Sequence, residues 1–284
     1  MMEIAEFLVR GALLGVTYGL LAFPVSLLFV TTGSVDVAIG GYAVLAAAVM
    51  FIVGGPVGVG LAILSAVTAA AVVGLISLRL NRPGHVDHVT AVLATFGLSI
   101  ILESVILTGF GTDPMVRETF TTFWSLGGIR ISPQLGINLA LCLAVLGVLY
   151  VLLHHTPLGR AMRASAVNPV GAALSGVPVR SIWLATYLLG GLLAGISGIL
   201  ILHTTGATHS SALTLTIWGF GSAIIFGLHS PLRGFAGGVL IGIIQALGAG
   251  YLPGSWATVA PLAFILVVLS LGRMNQISAT GGRV

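Results

Sequence analysis

Few residues in this sequence can do chemistry, and their spacing narrows it further. Among 284 residues, seven are acidic, seven are histidine and one is cysteine. An acid inside an apolar run is a candidate functional residue by default, and Asp36 and Glu103 are so placed. As proton or sodium sites they would make an ion-coupled secondary transporter, yet two acids without a basic partner form a thin relay. Asp36 has a second reading, compatible with the first. It falls between two apolar runs, where a carboxylate suits the N-terminus of the following helix. Glu103 lies near one end of its run, within snorkelling reach of the interface. His203, His209 and His229 do not share metal-ligand spacing and read as surface or turn residues. Cys142 stands alone in an apolar run, so neither a disulfide nor a metal–thiolate site is expected. No His-Glu-x-x-His, Gly-x-Gly-Asp or aspartate cluster supports a membrane enzyme. No cofactor and no metal are expected.

The densest run of small and capping residues is His154–Pro178. Gly159 to Ala166 suits a short helix carrying Arg160, Arg163 and Ala164 on its surface. Asn168-Pro169 then breaks it, with Asn168 an N-cap and Pro169 a first helical residue. A second short helix over Val170–Leu174, with Ala172 and Ala173, stops at Gly176. A connector capped at both ends suits a compact element held in a partner's groove.

The elements that must position these residues are membrane helices. Hydrophobic residues make up 57% and charged residues 6% of the chain, against about 25% charged in ordinary soluble domains. Glycine, at 40 residues, is also abundant, as in membrane helices. This composition excludes a soluble enzyme, a nucleic-acid binder and a disordered chain. A span needs about 20 apolar residues. Runs 9–30, 35–53, 57–78, 89–109, 135–153, 181–202, 235–250 and 256–272 qualify, and 214–228 is shorter and glycine-rich. The expected fold is an all-α polytopic membrane protein of eight or nine transmembrane helices, one transmembrane domain over 1–284. The acidic leader with Glu3 and Glu6 argues against a cleaved signal peptide.

All eleven basic residues are arginine. Placing 79–88, 154–180, the turn near 229–233 and the C-terminal tail inside collects eight of the eleven there, opposed only by Asp87. The N-terminus is then outside. The outer loop 110–134 mixes a turn, Asp113-Pro114, with β-formers and aromatics from Thr119 to Trp124, and suits a short surface helix or hairpin. Two segments also echo each other at a constant offset. Leu28–Gly41 and Ile225–Gly238 each run from an apolar helix through a polar turn to a glycine pair. This suggests an internal repeat, with broken helices meeting around a polar cavity.

On these residues the chain resembles the permeases of ATP-binding-cassette (ABC) importers, and in detail those of branched-chain amino-acid importers, the LivH-type family. Its loop reads roughly T-x-x-G-R-A-x-R-A-x-A-x-D-x-x-A-A-x-L-x-G-I. Thr156, Gly159, Arg160, Ala161, Arg163, Ala164, Ala166, Ala172, Leu174 and Gly176 fit it, with Asn168 at the aspartate position. Arg82-Pro83 followed by Ala94–Ile100, and Phe226–Pro231 through Gly237-Gly238, also resemble family segments. Two turns depart. The family's N-F-A-H-G reads Asp36-Val37-Ala38-Ile39-Gly40 here, and Phe226 and His229 stand where glycine is usual.

The resemblance implies a subunit of the bacterial plasma (inner) membrane that works without a nucleotide site of its own. The absence of lysine agrees, since a Gly-x-x-x-x-Gly-Lys-Ser/Thr loop cannot be completed. Implied partners are a second, related but different permease, two cytoplasmic ATPase subunits, an external substrate-binding protein and the lipid bilayer, with no nucleic acid. Gly159, Arg160, Arg163, Ala164, Asn168, Pro169, Ala172, Ala173, Leu174 and Gly176 would couple to the ATPase. Ser34, Asp36, Gly40, Gly41, Thr95, Ser99, His229, Ser230 and Gly237 would line the translocation pathway. The expected substrates are branched-chain or other small neutral amino acids, or related small polar molecules.

Overall fold

The structure is a computed structural model describing residues 2–80, 88–117, 120, 124–126, 129–228, 230–253 and 256–280, without the side chains of 2–3, 88, 124–131 and 271–280. Arg82, Pro83, Asp87, Glu118, His229 and Arg283 lie outside the described residues. Among the described residues, helices α1 (Met2–Thr32), α3 (Gly55–Leu80), α4 (His88–Phe110), α5 (Pro133–His155), α8 (Val179–Leu202) and α10 (Pro231–Tyr251) are long and apolar enough to cross a membrane. Three shorter apolar elements are α2 (Ile39–Val53), α9 (Ser211–Ile225) and the stretch Trp256–Ser270 of α11 (Trp256–Thr280). The nine runs read from sequence thus correspond to these nine helices. The outer loop carries a hairpin of β1 (Trp124–Leu126) and β2 (Ile129–Ile131), with Ser125 opposite Arg130.

The run 35–53 differs from its expectation in length. Helix α2 has 15 residues, about 22 Å at 1.5 Å per residue, against a hydrocarbon core of about 30 Å. Its missing turns are the non-helical Gly33–Ala38, and Ser34, Asp36 and Ala38 there are buried. Helix α9 is equally short. Both are broken helices of the expected kind. The echoing segments do not share a helix register, however. Gly40 and Gly41 lie in the first turn of α2, whereas Gly237 and Gly238 come after a full turn of α10.

Glycine sets the closest packing. Gly11, Gly15 and Gly19 of α1 recur every four residues, as do Gly234, Gly238 and Gly242 of α10. A Cβ on Gly238 would run into the backbone of Gly19, and one on Gly242 into that of Gly15. The two helices therefore meet backbone to backbone, as small-xxx-small faces allow. Helix α8 crosses α2 and α3 by the same device, with Gly198 against Ala43 and Gly191 against Ala70.

The contacts also order the ends. Ser165, Ala166 and Pro169 share a cavity with Phe29–Gly33, so α1 ends beside the 154–180 connector. At the opposite end Met115 pairs with Ala207, and the Arg117 guanidinium donates to the Met50 carbonyl at 3.2 Å. Arg79, Arg160, Arg163 and Arg180 belong to the connector end, and Arg10, Asp113 and Arg117 to the other, so the two groups of charges read from sequence lie at opposite ends.

Candidate functional site

The connector forms two helices, α6 (Pro157–Val167) and α7 (Pro169–Leu174). Local chemistry dictates both. Thr156 accepts from the Gly159 N–H at 3.2 Å, and Asn168 from that of Gly171 at 2.9 Å, each with proline at the first helical position. Gly176 has φ +85°, while its N–H and that of Val177 bond to Ala173 and Ala172. That is a Schellman closure, which a residue with a Cβ enters only under strain.

Hydrogen bonds tie the connector to two spans, α5 and α8, and tie the start of α8 in turn to α3. Arg163 donates to the Leu153 carbonyl at the end of α5 at 2.7 Å, and Arg180 to the Leu78 carbonyl at the end of α3 at 2.7 Å. Cations suit helix C-termini. The indole of Trp183 on α8 donates to Ser165 at 3.2 Å. Arg163 thus serves its own chain's helix end, while Arg160 is exposed. Gly159 packs on the Leu153 carbonyl and Ala172 is buried. Ala164, Ala173 and Gly176 face outward. Most exposed are Val167 at 88% and Leu174 at 85%, with Val170 between them in sequence. Apolar side chains that project this far make a ready contact for a partner.

The second cluster is the break between α1 and α2. Asp36 is 2% exposed and both its oxygens are engaged, one with the Ala38 N–H at 2.8 Å and the other with the Tyr42 hydroxyl at 3.0 Å. This geometry serves the start of α2. Neighbouring helices satisfy the rest of the break. Val37 donates its N–H to Thr95 of α4 at 3.2 Å. The Val37 carbonyl takes the hydroxyl of Thr216 on α9 at 3.0 Å, and Thr216 accepts the Gly40 N–H at 3.0 Å. Ser34 bonds Thr32, and Tyr187 donates to Ser77 at 2.8 Å. Unwound backbone inside a membrane protein survives only with such partners.

Of the residues expected along the pathway, Ser34, Asp36, Gly40 and Thr95 come together here, all buried. Ser99 is also buried one turn further along α4, and Gly41 packs against Leu102. Ser230 and Gly237 do not join them. Ser230 lines a separate cavity of about 200 Å³ with Tyr150 and His154, and Gly237 packs on the backbone of Ser222. His229 lies outside the described residues. Thr216, Tyr42, Trp183 and Ser165 escape sequence reasoning. Each is a polar group in an apolar or small-residue run whose partner carries no sequence signal; for Thr216 the partners Gly40 and Val37 are 176 and 179 residues away. Among the described residues no group of three potential metal ligands forms. Glu103 is half-buried on α4, His203 bonds the Ile199 carbonyl at 2.8 Å, and Cys142 is buried and free.

Break and connector face one cavity. It measures about 690 Å³ and is bounded by Thr31–Gly33 and Val35 on one side and Ser165, Pro169 and Trp183 on the other.

Comparison with known proteins places these features. The family described as branched-chain amino acid transport system / permease component matches residues 7–269. The high-affinity branched-chain amino acid transport system permease protein LivH of Escherichia coli K12 is 24% identical over 280 residues, covering 92% of this chain and 91% of that protein. A probable LivH of Methanocaldococcus jannaschii is 28% identical over 253 residues, 84% of this chain and 79% of its own. The ribose import permease protein RbsC of E. coli K12 is 29% identical over 239 residues, 82% of this chain and 72% of its own. Among solved structures, PsaBC from Streptococcus pneumoniae in complex with Fab has a TM-score of 0.53 at 14% identity, covering 92% of this chain and 90% of that one. At that identity the likeness is one of fold.

Proposed function

This chain belongs to the family of branched-chain amino acid transport system permease components, multi-pass plasma-membrane permeases of ABC importers, and from that premise we propose how it works. It forms one permease domain over 1–284, and ATP is hydrolysed on two separate cytoplasmic subunits. A second, related permease and an external substrate-binding protein complete the importer. The α6–α7 connector is the coupling element. Val167, Val170 and Leu174 present its apolar contact, while Asn168, Pro169 and Gly176 hold its shape. Ser34, Asp36, Gly40, Thr95 and Ser99 belong to the pathway region at the broken helix. The cargo is a small neutral polar molecule, branched-chain amino acids included, as the names of the LivH relatives suggest.

The observation that carries this reading is the shared cavity. Connector and broken helix bound the same 690 Å³ space, so a displaced connector alters the surroundings of the α1–α2 turn directly. The absence of lysine supports placing hydrolysis elsewhere, since no phosphate-cradling lysine exists in the chain.

The test is purification of the full chain from its native membrane in mild detergent, identifying what accompanies it. The expected result is an ATPase and a second multi-span protein in near-equal amounts. A chain isolated alone that still drives uptake into vesicles without ATP would overturn the proposal and favour an ion-coupled carrier.

A further inference from the structure

A cavity of about 290 Å³ lies at the end of α8 away from the connector. Tyr18 of α1, Trp218 of α9, Gln245 of α10, Thr258 of α11 and the turn joining α8 to α9 enclose it. Its volume is roughly ten times a water molecule's share of the liquid, so it admits a solute much larger than water.

Its chemistry is specific. The turn contributes Thr205, Thr208, Ser210 and Ser211, and α9 adds Thr214. Among the described residues no acidic, basic or histidine side chain lines the space. Five buried side-chain polar atoms have no partner among the described residues; one, His209 Nδ1, lies in the same turn, and two, the Trp218 indole Nε1 and the Gln245 Oε1, belong to side chains of this wall. Trp218 is only 6% exposed, and both side chains line the cavity. One is a donor and the other an acceptor. A buried unpaired polar group is costly and calls for a partner. Elsewhere the wall is arranged. The Tyr18 ring packs on Trp218 at 4.8 Å and 62°. Thr208 bonds both Ser210 and Ser211.

We propose that this cavity is a binding site for an uncharged polyhydroxylated solute, contained within a single permease chain. A polyol offers acceptors to the indole N–H, donors to the amide oxygen, and both to the hydroxyl wall. A zwitterionic amino acid would bring two full charges to a wall without a counter-charge, at a high desolvation cost. The inference rests on the importer reading and narrows its cargo to the small polar molecules that are not amino acids.

The test uses the full chain in lipid nanodiscs with radiolabelled ribitol as the probe and L-leucine as competitor. Wild type should bind ribitol, and excess leucine should not displace it. Trp218→Phe keeps the ring packing and deletes the donor. Gln245→Met keeps the volume and deletes the acceptor. Each should weaken ribitol binding about tenfold, the effect of one hydrogen bond, with far-ultraviolet circular dichroism and the unfolding temperature unchanged. No ribitol binding, wild-type affinity in both variants, or displacement by leucine would each overturn the site. The importer reading fails separately. Ribitol bound normally by a chain that recruits no ATPase would overturn that reading and leave the site standing, and lost ribitol binding with the ATPase still attached would do the reverse.

Discussion

Replacing Asp36 by leucine tests what the buried carboxylate does. Its two oxygens hold the Ala38 N–H at 2.8 Å and the Tyr42 hydroxyl at 3.0 Å, in a site 2% exposed. Leucine would leave both donors buried and unpaired, at about 1–3 kcal/mol each, so the loss should be about 2–6 kcal/mol. Asparagine should behave differently. Its oxygen can keep the Ala38 bond, the Tyr42 hydroxyl can turn to accept from its amide, and no charge needs burial. Asp36→Asn should therefore lie within about 1 kcal/mol of wild type. Tyr42→Phe added to Asp36→Leu removes one orphan and should return about 1–3 kcal/mol of the loss. The assay is unfolding of the purified protein by SDS titration in mixed micelles, followed by tryptophan fluorescence, with uptake measured in parallel. Equal destabilisation by asparagine and leucine, or none by leucine, would refute the capping argument. A stable Asp36→Asn protein that no longer transports would show that the carboxylate acts on the cargo or on an ion.

Gly238→Val should disrupt α1–α10 packing by more than the 1–3 kcal/mol usual for overpacking, because its Cβ meets the Gly19 backbone and not a side chain that can swing away. Protein recovered from the membrane, compared with Gly97→Val where the space is open, checks this. Leu174→Asp should leave stability unchanged, since the side chain is 85% exposed, while co-purification of the ATPase falls at least tenfold. Gly176→Asp should lose about 1–2 kcal/mol through its φ of +85° and give a protein that inserts at wild-type level but transports poorly. Unchanged uptake at equal membrane level would remove the connector's coupling role.

The connector was legible because its instructions are local. Thr156-Pro157, Asn168-Pro169 and Gly176 each determine a helix end within four residues. The spans were legible as apolar runs. The length of α2 was not, because Val35–Ala38 is apolar enough to extend the run. What unwinds it there is Thr95 and Thr216, far away along the chain. The grouping of Ser230 and Gly237 with Ser34 and Asp36 came from an echo in residue types. Helix register, which places Gly237 on Ser222, is invisible to such an echo. The α1–α10 contact did leave a trace, glycines recurring every four residues on both helices. The Trp218–Gln245 cavity left none, since its walls come from five helices and a turn.

The fastening of the connector has a mechanical consequence. Arg163 links it to α5 and Trp183 to α8, while Arg180 at the start of α8 links that span to α3, so a push on the connector passes into the spans. A force applied at Leu174 reaches α5 and α8 directly, and α3 by way of α8. The inner end of α1 faces the connector across 690 Å³ of open space. Squeezing or widening that gap costs less than breaking the hydrogen bonds that hold the connector to α5 and α8. The stroke of such a lever would therefore be read first as a change in the volume beneath the broken helix, before any helix slides on another.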